Sequence, residues 1–204
     1  MILMNDFKAE PPELRKAMLQ AASRVLESGW YVLGNEVKHF EEQWSRVCGV
    51  SHGIGVGNGM DAIEMALLGL SIGAGDEVIT TPMTAFATIL AIIRCGAKPV
   101  LADIDSETAL LSAESAKRCL STKTKAVILV HLYGQVRQMD EWVIFCEENN
   151  IMLIEDCAQA HQATWHGKVA GCFGQAGAYS FYPTKNLGAV GDAGMLVTGN
   201  SALA

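Results

Sequence analysis

The feature that most constrains the fold is an alternation, from residue 51 onward, of short apolar runs with longer segments of helical periodicity. The apolar runs predict strands at residues 52–56, 77–80, 99–102, 126–130 and 151–155. The segments between them predict helices at residues 61–70, 84–95, 112–120 and 139–149. Strands separated by helices favour crossover connections, so we predict an α/β fold with a mostly parallel sheet flanked by helices.

The pattern of apolar residues is different on both sides of this region. Residues 178–181 and 194–198 look like two strands too close in sequence for a crossover helix, so at least one should run antiparallel to the rest. At the other end, amphipathic patterns predict one helix between Pro12 and Gly29 and a second between Asn35 and Gly49. We divide the chain into an N-terminal helical segment, residues 1–27, and a second part, residues 28–204.

Charge and composition exclude several classes of partner. The 204 residues carry 15 Lys and Arg against 22 Asp and Glu, a net charge of −7 without a basic cluster, which argues against nucleic acid. No apolar run reaches the roughly 18–20 residues that cross a membrane, and the start of the chain lacks a secretory signal, so a cytoplasmic protein is expected. The six cysteines are scattered without zinc-ligand spacing, and we predict no metal site.

Ligands of open α/β sheets bind beyond the carboxyl ends of the strands, so we examined the residues that follow each predicted strand. After the first strand, glycines recur at every second position from Gly53 to Gly59, directly before a helix. Free backbone N–H groups at that helix start, aided by the helix dipole, suit a phosphate. A tight strand-to-helix turn explains the same glycines equally well.

Asp156 ends an almost wholly apolar strand, where a carboxylate needs a cation or several hydrogen-bond donors. A protonated pyridine nitrogen is such a cation, and Gln159 could donate to an oxygen of the same ring. A helix cap or a loop ion pair is the commoner role of a single Asp. The residues alone leave these readings open.

Lys185 follows Ser180 on the next strand, with Pro183 in the intervening turn and a Gly-rich segment after it. Most lysines are solvated surface groups. An amine held in a partly dry pocket, however, becomes a nucleophile toward carbonyl groups.

Five motifs occur together and in order along the chain. They are NGMDA at 58–62, GAGDEVI at 73–79, VHLYGQ at 130–135, IEDCAQAH at 154–161 and SFYPTKNLG at 180–188. This set resembles the DegT/DnrJ/EryC1/StrS family of sugar aminotransferases, which are pyridoxal-phosphate enzymes of the aspartate-aminotransferase fold. The resemblance implies a fold type I large domain, and because family chains are nearly twice as long, it also implies that the C-terminal small domain is absent.

The resemblance implies a role for each side chain near the cofactor ring. Lys185 would be catalytic, forming a Schiff base with pyridoxal 5'-phosphate and then moving protons. Asp156 would pair with the pyridinium nitrogen, and Gln159 would bond the phenolic oxygen of the ring. An aromatic residue that stacks on the ring usually follows a Thr directly; here Ala85 follows Thr84, so Phe86, one residue later, is the predicted stacking residue, with core packing as its alternative.

The phosphate contacts follow from the same resemblance. Backbone N–H groups of Gly59, Met60 and Asp61 and the hydroxyl of Ser180 would bind the cofactor phosphate. Position 60 is Met where the family usually has Thr or Leu, which removes a possible hydroxyl contact and leaves the backbone donors.

The implied reaction moves an amino group from glutamate to a nucleotide-linked keto-hexose, in an enzyme that is a homodimer at full length. Three alternatives remain. A non-catalytic or incomplete fragment would act through cofactor or protein binding. A sugar dehydratase of the same family would carry His in place of Lys185. A nucleotide-binding α/β module is disfavoured because the glycine spacing does not match a dinucleotide or Walker motif.

Overall fold

A computed structural model describes residues 5–204; the first four residues, which entered the expectation about a secretory signal, lie outside the described part of the chain. The chain divides into two compact units, Met1–Phe40 and Glu41–Ala204. The sequence analysis placed its division earlier, after residue 27.

The N-terminal unit is helical, as predicted. A short 3-10 helix, Phe7–Ala9, precedes helix α1 (Pro12–Ser28), and helix α2 (Asn35–Cys48) begins in this unit. Proline at the first position of α1 suits a helix start because its missing N–H has no partner there anyway. The helix ends at Gly29, whose φ of 65° is the left-handed conformation that glycine adopts without strain.

The C-terminal unit alternates strands and helices. Its elements are β1 (His52–Val56), α3 (Gly59–Gly69), β2 (Glu77–Thr80), α4 (Phe86–Arg94), β3 (Lys98–Leu101), α5 (Ala113–Arg118), β4 (Thr124–Val130), α6 (Met139–Glu148), β5 (Met152–Asp156), β6 (Thr164–Trp165), β7 (Lys168–Val169), β8 (Ala176–Ser180) and β9 (Gly194–Thr198). A 3-10 turn, Leu132–Gly134, follows β4. Each predicted strand appears within about two residues of its expected bounds, whereas the β6–β7 hairpin was not predicted.

Seven strands form one sheet in the order β1-β9-β8-β5-β4-β2-β3. The pairs from β8 to β3 are parallel, and β9 runs antiparallel to both of its neighbours, β8 and β1. This confirms the predicted α/β fold and the antiparallel strand near the end of the chain. It also places the carboxyl ends of β4, β5 and β8 side by side.

Both faces of the sheet are buried, because helices cover each one. Along β4, Val127 and Leu129 pack into one core and Ala126 and Ile128 into the other. The alternation follows from the two-residue period of a strand. Each fully buried aliphatic side chain of this kind contributes about 1.5–3 kcal/mol through removal of apolar surface from water, which holds the central strands rigidly.

None of the helices within residues 5–204 is both long and apolar enough to cross a lipid bilayer.

A buried carboxylate secures the chain segment that leads into β8. Glu155, which is 0% exposed, accepts hydrogen bonds from the backbone N–H groups of Gly171, Phe173 and Gly174 at 2.6–3.0 Å. It also accepts one from Nε2 of the buried His131 at 2.9 Å. Atoms of His131, Glu155 and Cys157 lie within 4.8 Å of one another, but these four bonds already engage both carboxylate oxygens. The bonds therefore indicate that Glu155 anchors the segment that leads into β8.

Replacement of Glu155 by Gln should destabilise the fold by about 3 kcal/mol, because one oxygen becomes an amide donor that faces other donors in a buried site. Urea unfolding followed by circular dichroism measures the loss. Glu148→Gln, a change at an exposed position of α6, is the matched control and should alter the unfolding free energy by less than about 0.5 kcal/mol. Equal stability of the two variants would contradict the anchor role.

Candidate active site

The predicted site residues gather at the carboxyl edge of the sheet. Asp156 is the last residue of β5 and lies in register with Val130 on β4 and Ala178 on β8. Ser180, the last residue of β8, lies two residues beyond Ala178. The parallel pairing thus brings together side chains that lie far apart in sequence, as expected for a ligand site of an α/β sheet.

Asp156 is buried, with only 6% of its surface exposed, and is held by donors from two elements. Its Oδ2 accepts a hydrogen bond from the Thr88 hydroxyl on α4 at 2.7 Å, and its Oδ1 accepts one from the Ala158 N–H at 3.1 Å. It forms no salt bridge within residues 5–204. A buried anion with donors but no cation suits a positively charged ligand atom.

Thr88 is a site residue that the sequence analysis missed. A Thr inside an apolar helix gave no signal of its own, because its importance comes from a contact with a residue 68 positions later. The family motif around Thr84 was noted only for its aromatic residue.

Phe86, the predicted stacking residue, is the first residue of α4 and is 66% exposed. It does not belong to the buried core, which was its alternative role. Thr88 follows two residues later, a rotation of about 200° around the helix, so the two side chains do not share a face of α4. Stacking by Phe86 stays a prediction.

The start of α3 is capped by its own side chains. Asn58 accepts a hydrogen bond from the Asp61 N–H at 2.9 Å and donates from Nδ2 to the Asp61 carboxylate at 3.0 Å. The Asp61 carboxylate is thereby engaged locally. The N–H groups of Gly59 and Met60 form no hydrogen bond within the described part of the chain, so they are the donors that remain for an anion.

Gly59 allows a close approach between α3 and β8. A Cβ atom at this position would lie 2.7 Å from Cβ of Ser180, too near for any real contact. Glycine therefore lets the helix start come up against Ser180 at the end of the strand. We call Gly59, Met60 and Ser180 the cradle.

Lys185 and Gln159 line one cavity. It has a volume of about 490 Å³ and is also bordered by Tyr133, Thr184 and Asn186. The side-chain oxygen of Gln159 accepts the Tyr133 N–H at 2.8 Å, so its amide NH₂ is the end left for a ligand. Lys185 is partly buried, and its amine forms no salt bridge among residues 5–204.

His161 holds the end of β8 through a hydrogen bond to Ser180. Its Nε2–H donates to the Ser180 carbonyl at 3.0 Å, which leaves Nδ1 as the unprotonated ring nitrogen. The ring packs against Trp44, Tyr179 and Phe181. Burial lowers the pKa of His161, and the positive charge of Lys185 acts in the same direction. These contacts favour a structural role for His161.

Comparison with known proteins identifies the class that this fold and site define. The model of the DegT/DnrJ/EryC1/StrS aminotransferase family matches residues 12–204. The chain belongs to the DegT/DnrJ/EryC1/StrS aminotransferase family, as the motifs indicated. It is 44% identical over 204 residues to a dTDP-3-amino-3,6-dideoxy-alpha-D-galactopyranose transaminase of Aneurinibacillus thermoaerophilus, covering 100% of this chain and 56% of the relative.

Solved structures of aminotransferases are similar to this chain over nearly its whole length. DesV of S. venezuelae, in complex with a ketimine intermediate, superposes with a TM-score of 0.95 at 40% identity, over 99% of this chain and 54% of that one. NtdA of Bacillus subtilis with bound cofactor PMP gives a TM-score of 0.88 at 30% identity, over 95% of this chain and 43% of that one. The fold is that of the pyridoxal-phosphate aminotransferases. The chain spans about half the length of these relatives.

Substitution of Gly59 by Ala should separate α3 from β8, because the added methyl group meets the Ser180 Cβ and not a flexible side-chain end. We expect affinity for pyridoxal phosphate to fall about tenfold or more, measured by absorbance titration. Gly49→Ala is a matched control elsewhere, since a Cβ there meets no atom within 4 Å although its φ of 73° adds some strain. Unchanged affinity in Gly59→Ala would contradict the cradle.

The lowered pKa of His161 predicts a pH dependence of stability. The unfolded chain takes up a proton at this group near its ordinary pKa of 6.5, whereas the folded chain does so only at lower pH. The unfolding free energy should therefore fall as pH drops below 6.5, until the folded group also protonates. His161→Gln, which retains a donor for the Ser180 carbonyl, should lack this contribution in urea titrations from pH 5 to 8, roughly the range in which histidine titrates.

The control for that experiment is His39→Gln, at an exposed position of α2, which should follow the wild-type pH profile. If the unfolding free energy of His161→Gln depended on pH in the same way as that of the wild type, His161 would not be the source of the pH dependence.

Proposed function

We propose that the protein containing this chain is a pyridoxal-phosphate-dependent aminotransferase that transfers an amino group from glutamate to a nucleotide-linked keto-hexose. The observation that carries the proposal is the buried Asp156 carboxylate, which has hydroxyl and amide donors but no cation partner among residues 5–204. A site of this kind fits the protonated ring nitrogen of the cofactor, and membership of an aminotransferase family supports the assignment.

The residues present suit the polar groups of the cofactor. Lys185 supplies a partly buried amine for its aldehyde, and Asp156 holds the positive ring nitrogen. The free amide end of Gln159 donates to the ring oxygen. When bound, the cofactor supplies an electron-withdrawing ring that stabilises negative charge on the carbon next to the amino nitrogen. The Lys185 amine would hold the cofactor aldehyde and would be the base that moves a proton at that carbon.

The phosphate would lie in the cradle at the start of α3. Gly59 and Met60 offer two unbonded N–H groups, the Ser180 hydroxyl adds a third donor, and the helix dipole favours an anion. The Asp61 N–H, predicted as a further donor, already donates to Asn58 and would have to be shared between Asn58 and the phosphate. Phe86 would cover the ring only if the start of α4 turns its side chain toward Asp156.

The substrates and assembly follow from the family and its relatives. The similar protein from Aneurinibacillus thermoaerophilus is named as a transaminase of a dTDP-linked sugar, which supports a nucleotide-linked keto sugar as acceptor. Glutamate as donor and a homodimer in the full-length form are part of the proposal. The presence of Lys185 disfavours a dehydratase, in which His replaces the lysine.

The test is capture of the cofactor by Lys185. The purified protein with pyridoxal phosphate should develop the visible absorbance of a lysine-bound cofactor, and borohydride should attach the cofactor permanently to Lys185, as located by peptide mass spectrometry. Lys185→Ala should abolish both signals. Lys125→Ala, at an exposed position of β4, is the matched control and should retain them.

Addition of glutamate should then bleach the visible band in the full-length enzyme, and a nucleotide-linked keto sugar should restore it. No band in the wild-type protein would favour a non-catalytic fragment. A band that ignores glutamate while a keto sugar is dehydrated would overturn the aminotransferase assignment.

A further inference from the structure

Thr84, which lies two residues before the start of α4, and Thr88, which lies within α4, form a series of hydrogen bonds that ends on Asp156. The hydroxyl oxygens of Thr84 and Thr88 lie 2.8 Å apart, and Thr88 Oγ1 lies 2.7 Å from Asp156 Oδ2. Thr88 is 0% exposed, so water does not compete for its hydroxyl. No residue between β3 and β5 belongs to this series of hydrogen bonds. The series therefore links α4 directly to the end of β5.

The direction of each hydrogen bond follows from chemistry. An ionised carboxylate only accepts, so the single hydroxyl proton of Thr88 must point to Asp156. Thr88 therefore accepts from Thr84, whose own proton points inward along the chain. The result is an ordered series of donors, Thr84 to Thr88 to Asp156.

These donors restrain a torsion that is otherwise loose. Rotation of a carboxylate about the Cβ–Cγ bond of Asp has a broad energy profile, so the plane of the group needs outside contacts to be defined. The Ala158 N–H, in the turn after β5, restrains Oδ1, and Thr88, on α4, restrains Oδ2. If either donor is removed, only one hydrogen bond holds the Asp156 carboxylate, and the group can then rotate.

We propose that Thr88, supported by Thr84, is a positioning residue that fixes the plane of the Asp156 carboxylate so that its remaining lone pairs face the ring nitrogen of the cofactor. The inference rests on the proposed function, in which Asp156 receives that nitrogen. The proposal gives Thr88 no contact of its own with cofactor or substrate. It acts through the orientation of Asp156, as an outer residue does when it holds a binding side chain in place.

The experiment compares Thr88→Val, which keeps the shape but lacks the hydroxyl, with Thr88→Ser, which keeps the hydroxyl. Thr88→Val should weaken binding of pyridoxal phosphate about tenfold, the effect of losing one hydrogen bond to a charged group. With cofactor labelled by ¹⁵N in the ring, its NMR signal should shift toward that of the unprotonated nitrogen. Thr88→Ser should restore both readouts to within about twofold of wild type.

Thr80→Val is the matched control. Thr80 is another buried threonine at a strand end, and its hydroxyl donates to the carbonyl of Ile128 at 3.1 Å. This variant should lose stability yet keep the cofactor affinity and the nitrogen signal. Thr84→Val, which removes only the outer donor, should give a smaller loss of about threefold and provides a second test if Thr88→Val does not fold.

Crystal structures of the cofactor-free variants separate this inference from the proposed function. The Asp156 carboxylate should be rotated in Thr88→Val and unchanged in Thr88→Ser. A wild-type protein that does not bind the cofactor would overturn the proposed function. The orientation of the Asp156 carboxylate in the cofactor-free structures would still decide the role of Thr88. An unrotated carboxylate, or wild-type affinity and nitrogen signal in Thr88→Val, would overturn the inference.

Discussion

Two consecutive carboxylates at the end of a buried strand are the constraint on which the rest of the structure depends. Glu155 and Asp156 point to opposite sides of the sheet because successive side chains of a strand alternate. Each must find donors in a place without water. Glu155 finds them in three backbone N–H groups and His131, and so fixes the segment before β8. Asp156 finds Thr88 and Ala158, and keeps lone pairs for a ligand.

The same arrangement connects stability with the proposed chemistry. The segment held by Glu155 sets the path of β8, whose end carries Ser180 and whose following turn carries Lys185. His161 bonds the Ser180 carbonyl, and burial lowers the pKa of its ring. Gly59 admits the start of α3 to the same place. The N–H groups at the start of α3, the Asp156 carboxylate and the Lys185 amine thus lie at or after the carboxyl ends of β1, β5 and β8. The proposed cofactor, with a phosphate, a basic ring and an aldehyde, would need groups of these three kinds.

Much of the fold was predictable because local patterns report it. The strands at 52–56 and 77–80 match the prediction at both ends, and the antiparallel strand near residue 194 followed from the short spacing alone. The β6–β7 hairpin was missed because its strands have only two residues each, too few for a period to show. The start of α4 was placed two residues early, since Thr84 and Ala85 continue the pattern but lie before the first helical turn.

The sequence by itself determined the α/β alternation, the motif set and the identity of Asp156, Gln159, Ser180 and Lys185 as site candidates, because these depend on residue type and short spacing. Only the tertiary structure decided that Thr88 donates to Asp156, that the Asp61 N–H is engaged by Asn58, and that Phe86 is exposed on another face of α4 than Thr88. Such contacts depend on how strand order and helix rotation bring distant atoms within hydrogen-bond range, and no local period encodes that.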